Sequence, residues 1–441
     1  MRRVVGSASA LALCALLAGC PALLSDDWEI NADGGAGGDD AKGDRPGEDA
    51  SDGGVGVDGG DGGIADGSDA TIGDASDASD ATQPDAPTPD SAPDVSTPDS
   101  APDSPPDAPP DVVDAGCPVN TPTLCGSTCV NLQTNNQNCG ACGHDCLGST
   151  CSTGLCATTT LASSLGGPWS VAVDTTNVYF TTNWGQFDIV RVPVGGGSAT
   201  SLGTTTYPIG IALDATNVYW VDGTDNTVNK VAKTGGSTTH IANSQAYPYL
   251  VAVYGTKVFF TNTNGGTVNW VSNAGGTVTP LASGQNSPQP IAADANNVYW
   301  GNNNGCGGSG GSISQTPVGG GSITVLATTT GGCPRSVAVD ATHVYWADRL
   351  DGTVKRVPIG GGTVDSLAVG QDWPETLVVD ATYVYWTNRQ GGTIMRVPKI
   401  GGATLTLASG QGTPQGIAVD GSYVYWANDL PGTGTVMKVA K

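Results

Sequence analysis

The residues best equipped for chemistry recur directly after a proline. They are Trp169, Ile209, Tyr249, Gln289, Arg335, Glu375 and Gln415, which follow Pro168, Pro208, Pro248, Pro288, Pro334, Pro374 and Pro414 at intervals of 40 residues, with one of 46. The proline is constant and the residue after it is not, which is how variable side chains look on a repeated scaffold. Tyr207, Tyr247 and Trp373 stand just before three of these prolines, and Trp184 and Arg389 fall in loops expected on the same face. Aromatic rings beside Arg, Glu and Gln suit a sugar, a peptide or a small molecule, because rings stack and polar groups fix orientation. The candidate contact set is therefore Trp169, Tyr207, Tyr247, Tyr249, Gln289, Arg335, Trp373, Glu375 and Gln415. The competing reading is that these loops vary because nothing constrains them.

Catalytic groups are scarce. The three histidines, His144, His240 and His343, fall away from those loops, and no Gly-x-Ser-x-Gly elbow, phosphate loop or metal-spaced His pair occurs. Arg335 and Glu375 could serve acid–base chemistry, but opposite charges near a channel more often pair with each other. We assign no catalytic residue, no metal ligand and no cofactor. A non-enzymatic binding or adhesion platform is the leading expectation; a lyase or hydrolase acting on carbohydrate or peptide is the alternative.

The elements that must position these residues are read from the repeat. A Val-Tyr-Trp variant centres on Tyr179, Tyr219, Phe259, Tyr299, Tyr345, Tyr385 and Tyr425. A fixed period near 40 residues means one supersecondary unit copied in series. The copy from Pro374 onward carries a short apolar run, Leu377 to Val379, an Asp380 turn, the β-branched and aromatic Val384-Tyr385-Trp386, and two further alternating segments separated by paired glycines. Four short strands per copy make a propeller blade. The last copy ends after its third strand, and residues 157–169 read like residues 403–415, so the N-terminal strand is expected to complete the seventh blade. The fold class is all-β: a seven-bladed propeller of four-stranded antiparallel blades spanning 157–441. An aspartate after the first strand recurs at Asp174, Asp214, Asp294, Asp340, Asp380 and Asp420, with Tyr254 in the remaining copy; a residue repeated around a ring is expected to serve structure.

The stretches Tyr219-Trp-Val-Asp222, Tyr345-Trp-Ala-Asp348 and Tyr385-Trp-Thr-Asn388 resemble the YWTD propellers of lipoprotein-receptor ectodomains. That family has six blades where this chain counts seven, a number found in NHL-like and streptogramin-lyase-like propellers. The lyase comparison implies a catalytic histidine at the channel mouth, and none is expected there.

Eight cysteines fall in residues 117–156: Cys117, Cys125, Cys129, Cys139, Cys142, Cys146, Cys151 and Cys156. A dense, even cluster in an exported chain reads as a disulfide framework of unassigned connectivity; a zinc site around Cys139, Cys142, His144 and Cys146 is the alternative. The segment resembles stigma-specific cysteine-rich modules, which also occur in myxobacterial surface lipoproteins, and so implies an extracellular module. Cys306 and Cys333 lie in loops of one blade expected on one face, and a disulfide between them would pin the enlarged loop that lengthens one interval.

Residues 1–19 read as a signal peptide, with Arg2 and Arg3 before an apolar stretch too short to span a membrane. Leu17-Ala18-Gly19-Cys20 matches the bacterial lipobox, and that resemblance makes Cys20 a lipidated N-terminus. An ordinary cleaved signal peptide is the other possibility. Residues 20–116 hold 25 acidic and two basic residues among Gly, Ala, Ser and Pro, a composition expected to stay disordered and act as a spacer. This linker, not the propeller, explains the chain's net charge of −24. Residues 157–441 carry 15 acidic and 13 basic residues, so neither region suits nucleic acid. The expected location is the bacterial cell envelope, outside the cytoplasm.

Overall fold

The computed structural model describes residues 116–306, 310–329 and 331–441. Cys20, the signal-peptide segment and the acidic linker lie outside them. Among the described residues there is no α-helix, and the one helical element is a 3-10 turn at Asn304–Cys306.

Seven four-stranded antiparallel sheets stand in a ring. We number the blades 1 to 7 by their innermost strands: Pro168–Val173, Pro208–Leu213, Pro248–Tyr254, Pro288–Ala293, Pro334–Val339, Pro374–Val379 and Pro414–Val419. Each second strand is hydrophobic on both faces because a neighbouring blade covers each side. In blade 6, Val384, Tyr385 and Trp386 are all fully buried, which is why Val-Tyr-Trp runs apolar instead of alternating. Blade 7 takes Pro414–Val419, Tyr423–Asn428 and Gly434–Ala440 from the C-terminal end and Thr159–Leu165 from the N-terminal side. The closing pair runs antiparallel, with Val436 opposite Ala162 and Lys438 opposite Thr159. Closure leaves no blade with an unpaired inner neighbour.

The repeated aspartate does structural work. Asp380 Oδ1 accepts the backbone N–H groups of Thr382 (2.7 Å) and Tyr383 (2.8 Å), and Oδ2 accepts the Tyr385 hydroxyl (2.9 Å). The same Tyr-to-Asp bond recurs in blades 1, 2, 4, 5 and 7. In blade 3 both partners change together: Tyr254 replaces the aspartate and Phe259 lacks the hydroxyl. Lysines of the next blade reach three of these carboxylates, Lys233 to Asp174 (3.0 Å), Lys399 to Asp340 (2.8 Å) and Lys441 to Asp380 (2.6 Å). Lys438 closes the circle by donating to the Val194 carbonyl of blade 1 at 2.7 Å.

The cysteine-rich segment contains four short strands and four disulfides: Cys117–Cys129, Cys125–Cys142, Cys139–Cys151 and Cys146–Cys156. Its thiols are consumed, and His144 is used to dock the module. His144 is fully buried, with Nδ1 at 2.5 Å from the Cys139 carbonyl and Nε2 at 3.4 Å from the Ala440 carbonyl of blade 7. Burial pushes its pKa down against the opposing pull of these two carbonyls, and the neutral ring so favoured donates to one of them at a time. Gly140 is required beside it, because a Cβ there would stand 2.5 Å from the Gly154 carbonyl and 3.2 Å from Leu405.

Asp174, Asp340 and Asp380 make the fold acid-sensitive. Burial alone would raise Asp174, but the N–H groups of Thr176 and Asn177 and the Lys233 ammonium outweigh it and hold the carboxyl at about 2; Asp340 and Asp380 are lowered in the same way. A lowered folded pKa stabilises above the unfolded value and loses that contribution as pH falls through the folded one. Resistance to urea unfolding should therefore fall steeply from about pH 4 towards 2. Asp340→Asn should flatten that slope; an unaltered slope would contradict the role given to the ring.

Candidate functional site

The residue after each proline sits on a backbone irregularity that aims it into the channel. In blade 6, Pro374 pairs with Asn388 and Leu377 with Trp386, so Glu375 and Thr376 together face one residue of the partner strand. Each of the other six inner strands shifts register at the same place. Such a bulge turns a side chain out of the regular pleat. Threonines of the second strand fix three bulges: Thr387 Oγ1 accepts the Thr376 N–H at 3.2 Å and donates to the Gln415 carbonyl of blade 7 at 2.9 Å. Thr181 and Thr261 do the same for Ile209 and Gln289.

These residues pack the channel. Trp169, Tyr249, Arg335, Glu375 and Gln415 are buried, Gln289 is half-buried, Tyr207 and Tyr247 are half-buried above them, and Trp373 is 36% exposed. The charged core of the plug is a triad. Glu375, with no exposed surface, accepts Arg335 Nε at 3.1 Å and Arg349 through Nε (2.8 Å) and Nη2 (2.8 Å). Arg335 Nη1 also donates to Gln289 Oε1 at 2.9 Å. The Trp373 ring covers the Arg349 guanidinium at 4.9 Å, and Tyr247 stacks on Tyr249 with centroids 6.4 Å apart.

Arg349 belongs to a second ring that the repeat hides behind its variable last letter. The residue following each second strand is Asn183, Gly223, Thr263, Asn303, Arg349, Arg389 or Asp429. Its N–H donates to the carbonyl of the residue before the blade's proline at 2.9–3.3 Å, the acceptors being Gly167, Tyr207, Tyr247, Ser287, Cys333, Trp373 and Thr413. Tyr247 and Trp373 are thereby held at φ 56°, a left-handed conformation that costs side-chain-bearing residues free energy. The signal for Arg349 and Asp429 was their place one residue beyond the Trp-x-Asp/Asn strand. Asp429 is 7% exposed; burial raises its carboxyl, and despite the charge of Arg389 and a 3.4 Å contact from Gln415 it is pushed up to about 6.

The last letter of the YWTD-like motif sets the loop carrying these groups. Gln285, Gln371 and Gln411 each accept both the Trp Nε1–H and the Asn Nδ2–H of the blade they enter, at 2.9–3.1 Å. Where that glutamine is replaced by Thr205 or Gly331, the asparagine becomes an aspartate and takes backbone N–H groups instead. Asp222 accepts from Thr206 and Tyr207, and Asp348 from Cys333. Cys333 is joined to Cys306 in a disulfide. His240 lies in an outer strand and His343 at the start of a second strand, beside the Asp340 turn at the opposite end, so no histidine stands on the loop face.

A surface hollow of about 460 Å³ lies beside the enlarged loop of blade 4, lined by amides and hydroxyls that include Gln285, Asn302, Ser312 and Thr328. None of the nine candidate contact residues lines it.

No protein-family model matches the chain, and no curated protein matches its sequence. Solved structures share its fold. Virginiamycin B lyase from Staphylococcus aureus superposes with a TM-score of 0.55 at 16% identity, covering 65% of this chain and 98% of that one. A streptogramin B lyase structure gives 0.55 at 16% identity, over 64% and 97%. A chain of the nidogen/laminin complex is 20% identical over 52% and 93%, but its TM-score of 0.44 carries no argument. These likenesses establish the propeller and leave the activity open.

Two outcomes follow from the buried charges. Glu375→Leu removes the carboxylate that two guanidinium groups share and should cost about 3–5 kcal/mol in urea unfolding, against less than half that for Gln415→Leu; similar costs would contradict the triad. Asp429 has a raised folded pKa, so it stabilises fully below its unfolded value near 4 and loses that contribution as pH rises through 6, about 2–3 kcal/mol in all. Asp429→Asn should remove this loss; an unchanged pH profile between 4 and 7 would overturn it.

Proposed function

We propose that the loop face of the propeller is a binding surface, and that the protein is a non-enzymatic binding or adhesion platform. One observation carries the reading. Trp184, Phe187, Leu350, Trp373 and Leu430 are between 36% and 52% exposed, and all stand on loops of that face in blades 5, 6, 7 and 1. Beneath them lie the buried Arg349, Arg389 and Asp429. An apolar rim around a few fixed polar groups is how binding mouths are built. At the opposite end the repeated charges are spent on joints between blades, as the Asp–Lys pairs are.

Cys20 as a lipid attachment point and residues 20–116 as a spacer complete the proposal: a head held outside the cytoplasm at the bacterial envelope, tethered to the membrane by acyl chains and presenting its mouth to a glycan, peptide or protein. The lipobox residues and the linker composition support this part. A second reading, a lyase or hydrolase at the same mouth, is favoured by Asp429, whose raised pKa suits proton transfer, and by the lyases of like fold. The absence of a histidine on that face and the engagement of Glu375 with two arginines favour the binder.

The test is an array of glycans, peptidoglycan fragments and peptides probed with the full chain and with Trp184→Ala/Trp373→Ala. Binding that falls at least tenfold in the double variant supports the mouth. Binding that the variant retains in full, or turnover of a bound compound, would overturn the platform reading.

A further inference from the structure

Where blade 7 meets blade 1, four polar atoms are buried without a hydrogen-bond partner in the protein. They are Trp169 Nε1 and Asn183 Oδ1 of blade 1 and Gln415 Oε1 and Asp429 Oδ1 of blade 7, on residues at most 7% exposed. Asn262, Asn302 and Asn428 Oδ1 and Trp220 and Trp346 Nε1 are also unpartnered, but they occupy positions that repeat around the ring. The seam atoms belong to positions that vary, and in other blades those positions are satisfied. Gln289, the counterpart of Gln415, accepts Arg335 Nη1 at 2.9 Å. Asn303, the counterpart of Asn183, accepts the Gly305 N–H at 3.4 Å. A buried acceptor without a donor costs the fold free energy, and the scaffold itself does not require that cost here.

The four residues are neighbours under one movable cover. Gln415 Nε2 is 3.4 Å from Asp429 Oδ2, and the Asn183 N–H donates to the Gly167 carbonyl at 3.1 Å. Gly167 lies among them: a Cβ there would stand 2.8 Å from Asp429 Oδ1 and would overlap the Trp184 ring. Gly416, next to Gln415, passes so close to blade 1 that a Cβ would stand 2.5 Å from the Trp169 carbonyl. Trp184 is held by its backbone, whose N–H donates to the Gly166 carbonyl at 2.9 Å, while its ring rests on Gly167 and is 52% exposed. The flanking loops, 183–187 and 429–433, are each one residue longer than their counterparts in blades 2, 3, 5 and 6.

We propose that this seam binds the end of a neutral oligosaccharide. Sugar hydroxyls donate to Asn183 Oδ1, Gln415 Oε1 and Asp429 Oδ1, a sugar oxygen accepts from Trp169 Nε1, and Trp184 swings off Gly167 to lie against the sugar ring. The proposal rests on the binding reading above and adds the class of ligand and the seat it takes. Three acceptors and one donor call for groups that both donate and accept, as hydroxyls do and as carboxylates and phosphates do not. The one carboxyl of the group interacts with the Arg389 guanidinium, so the seam lacks hydrogen-bond donors and not counter-charge. A buried ammonium would have to give up its hydration beside that guanidinium. An indole ring accepts the apolar face of a pyranose without demanding charge.

The experiment titrates the full chain with cellotriose, maltotriose and mannotriose, with their fully O-methylated forms, and with a blocked neutral tripeptide, following tryptophan fluorescence or heat. A trisaccharide should bind with little dependence on salt, and its O-methylated form, which keeps the oxygens and loses the donors, about tenfold or more weakly. Asn183→Leu replaces an unpartnered acceptor by an apolar group of similar shape; it should lower affinity about tenfold while urea resistance stays at or above that of the wild type. Equal binding of the O-methylated sugar, or full binding by Asn183→Leu, together with loss in Trp184→Ala/Trp373→Ala, would keep the binding mouth and overturn the seam. A destabilised Asn183→Leu that binds normally would assign the four atoms to ordered water only and overturn the proposal. Binding of the tripeptide alone, or of none of the trisaccharides, would overturn it as well.

Discussion

Everything in this propeller depends on closure of the ring by a strand from the far end of the domain. A single blade exposes two apolar faces, and the Val-Tyr-Trp strand has no solvent side. Seven wedge-shaped copies bury those faces only against one another, and only if the last meets the first. Thr159–Leu165 makes that meeting by pairing with Gly434–Ala440, and Lys438 reaches on to the Val194 carbonyl. Because the copies are alike, closure brings seven equivalent positions to one axis. Variation at those positions is then the means by which such a fold acquires a site.

The two ends of the ring have been put to different uses. At one end the Asp turn, the tyrosine hydroxyl and a lysine from the next blade repeat with little change, and their task is to hold neighbouring blades in register. At the other end the prolines and bulges repeat while the residues they aim do not. The Gln–Asn and Thr/Gly–Asp exchanges show how the scaffold keeps its loops fixed through two alternative sets of hydrogen bonds. Blade 5 uses the aspartate set, and Cys333 of its entry loop, whose carbonyl accepts the Arg349 N–H, is also bonded to Cys306 of blade 4.

Most of the fold was legible in the sequence because it is written seven times. The 40-residue period, the turn aspartates and the strand missing from the last copy each predict an element that the structure contains. The site was legible in part. Arg335 and Glu375 announce themselves by standing where other blades have Trp, Ile or Gln, but their degree of burial does not follow from sequence, since it depends on how far the bulge turns each side chain. Arg349 and Asp429 were missed because they follow a motif whose interest seemed to end at its fourth letter. Disulfide connectivity within 117–156 needed coordinates, as eight cysteines leave 105 pairings open. The inner strands also begin earlier than the apolar run suggests, at Pro374 instead of Leu377 in blade 6, because a bulge interrupts the pattern without ending the strand.

The central claim is that binding belongs to the loop face. Hydrogen–deuterium exchange of the full chain, alone and with a saturating ligand from the array, tests it most directly. The account predicts new protection confined to residues 183–187, 349–352, 389–391 and 429–433, with the Asp turns at 174–177 and 340–343 unchanged. Protection at those turns, or centred on the blade 4 hollow around Gln285 and Ser312, would contradict it.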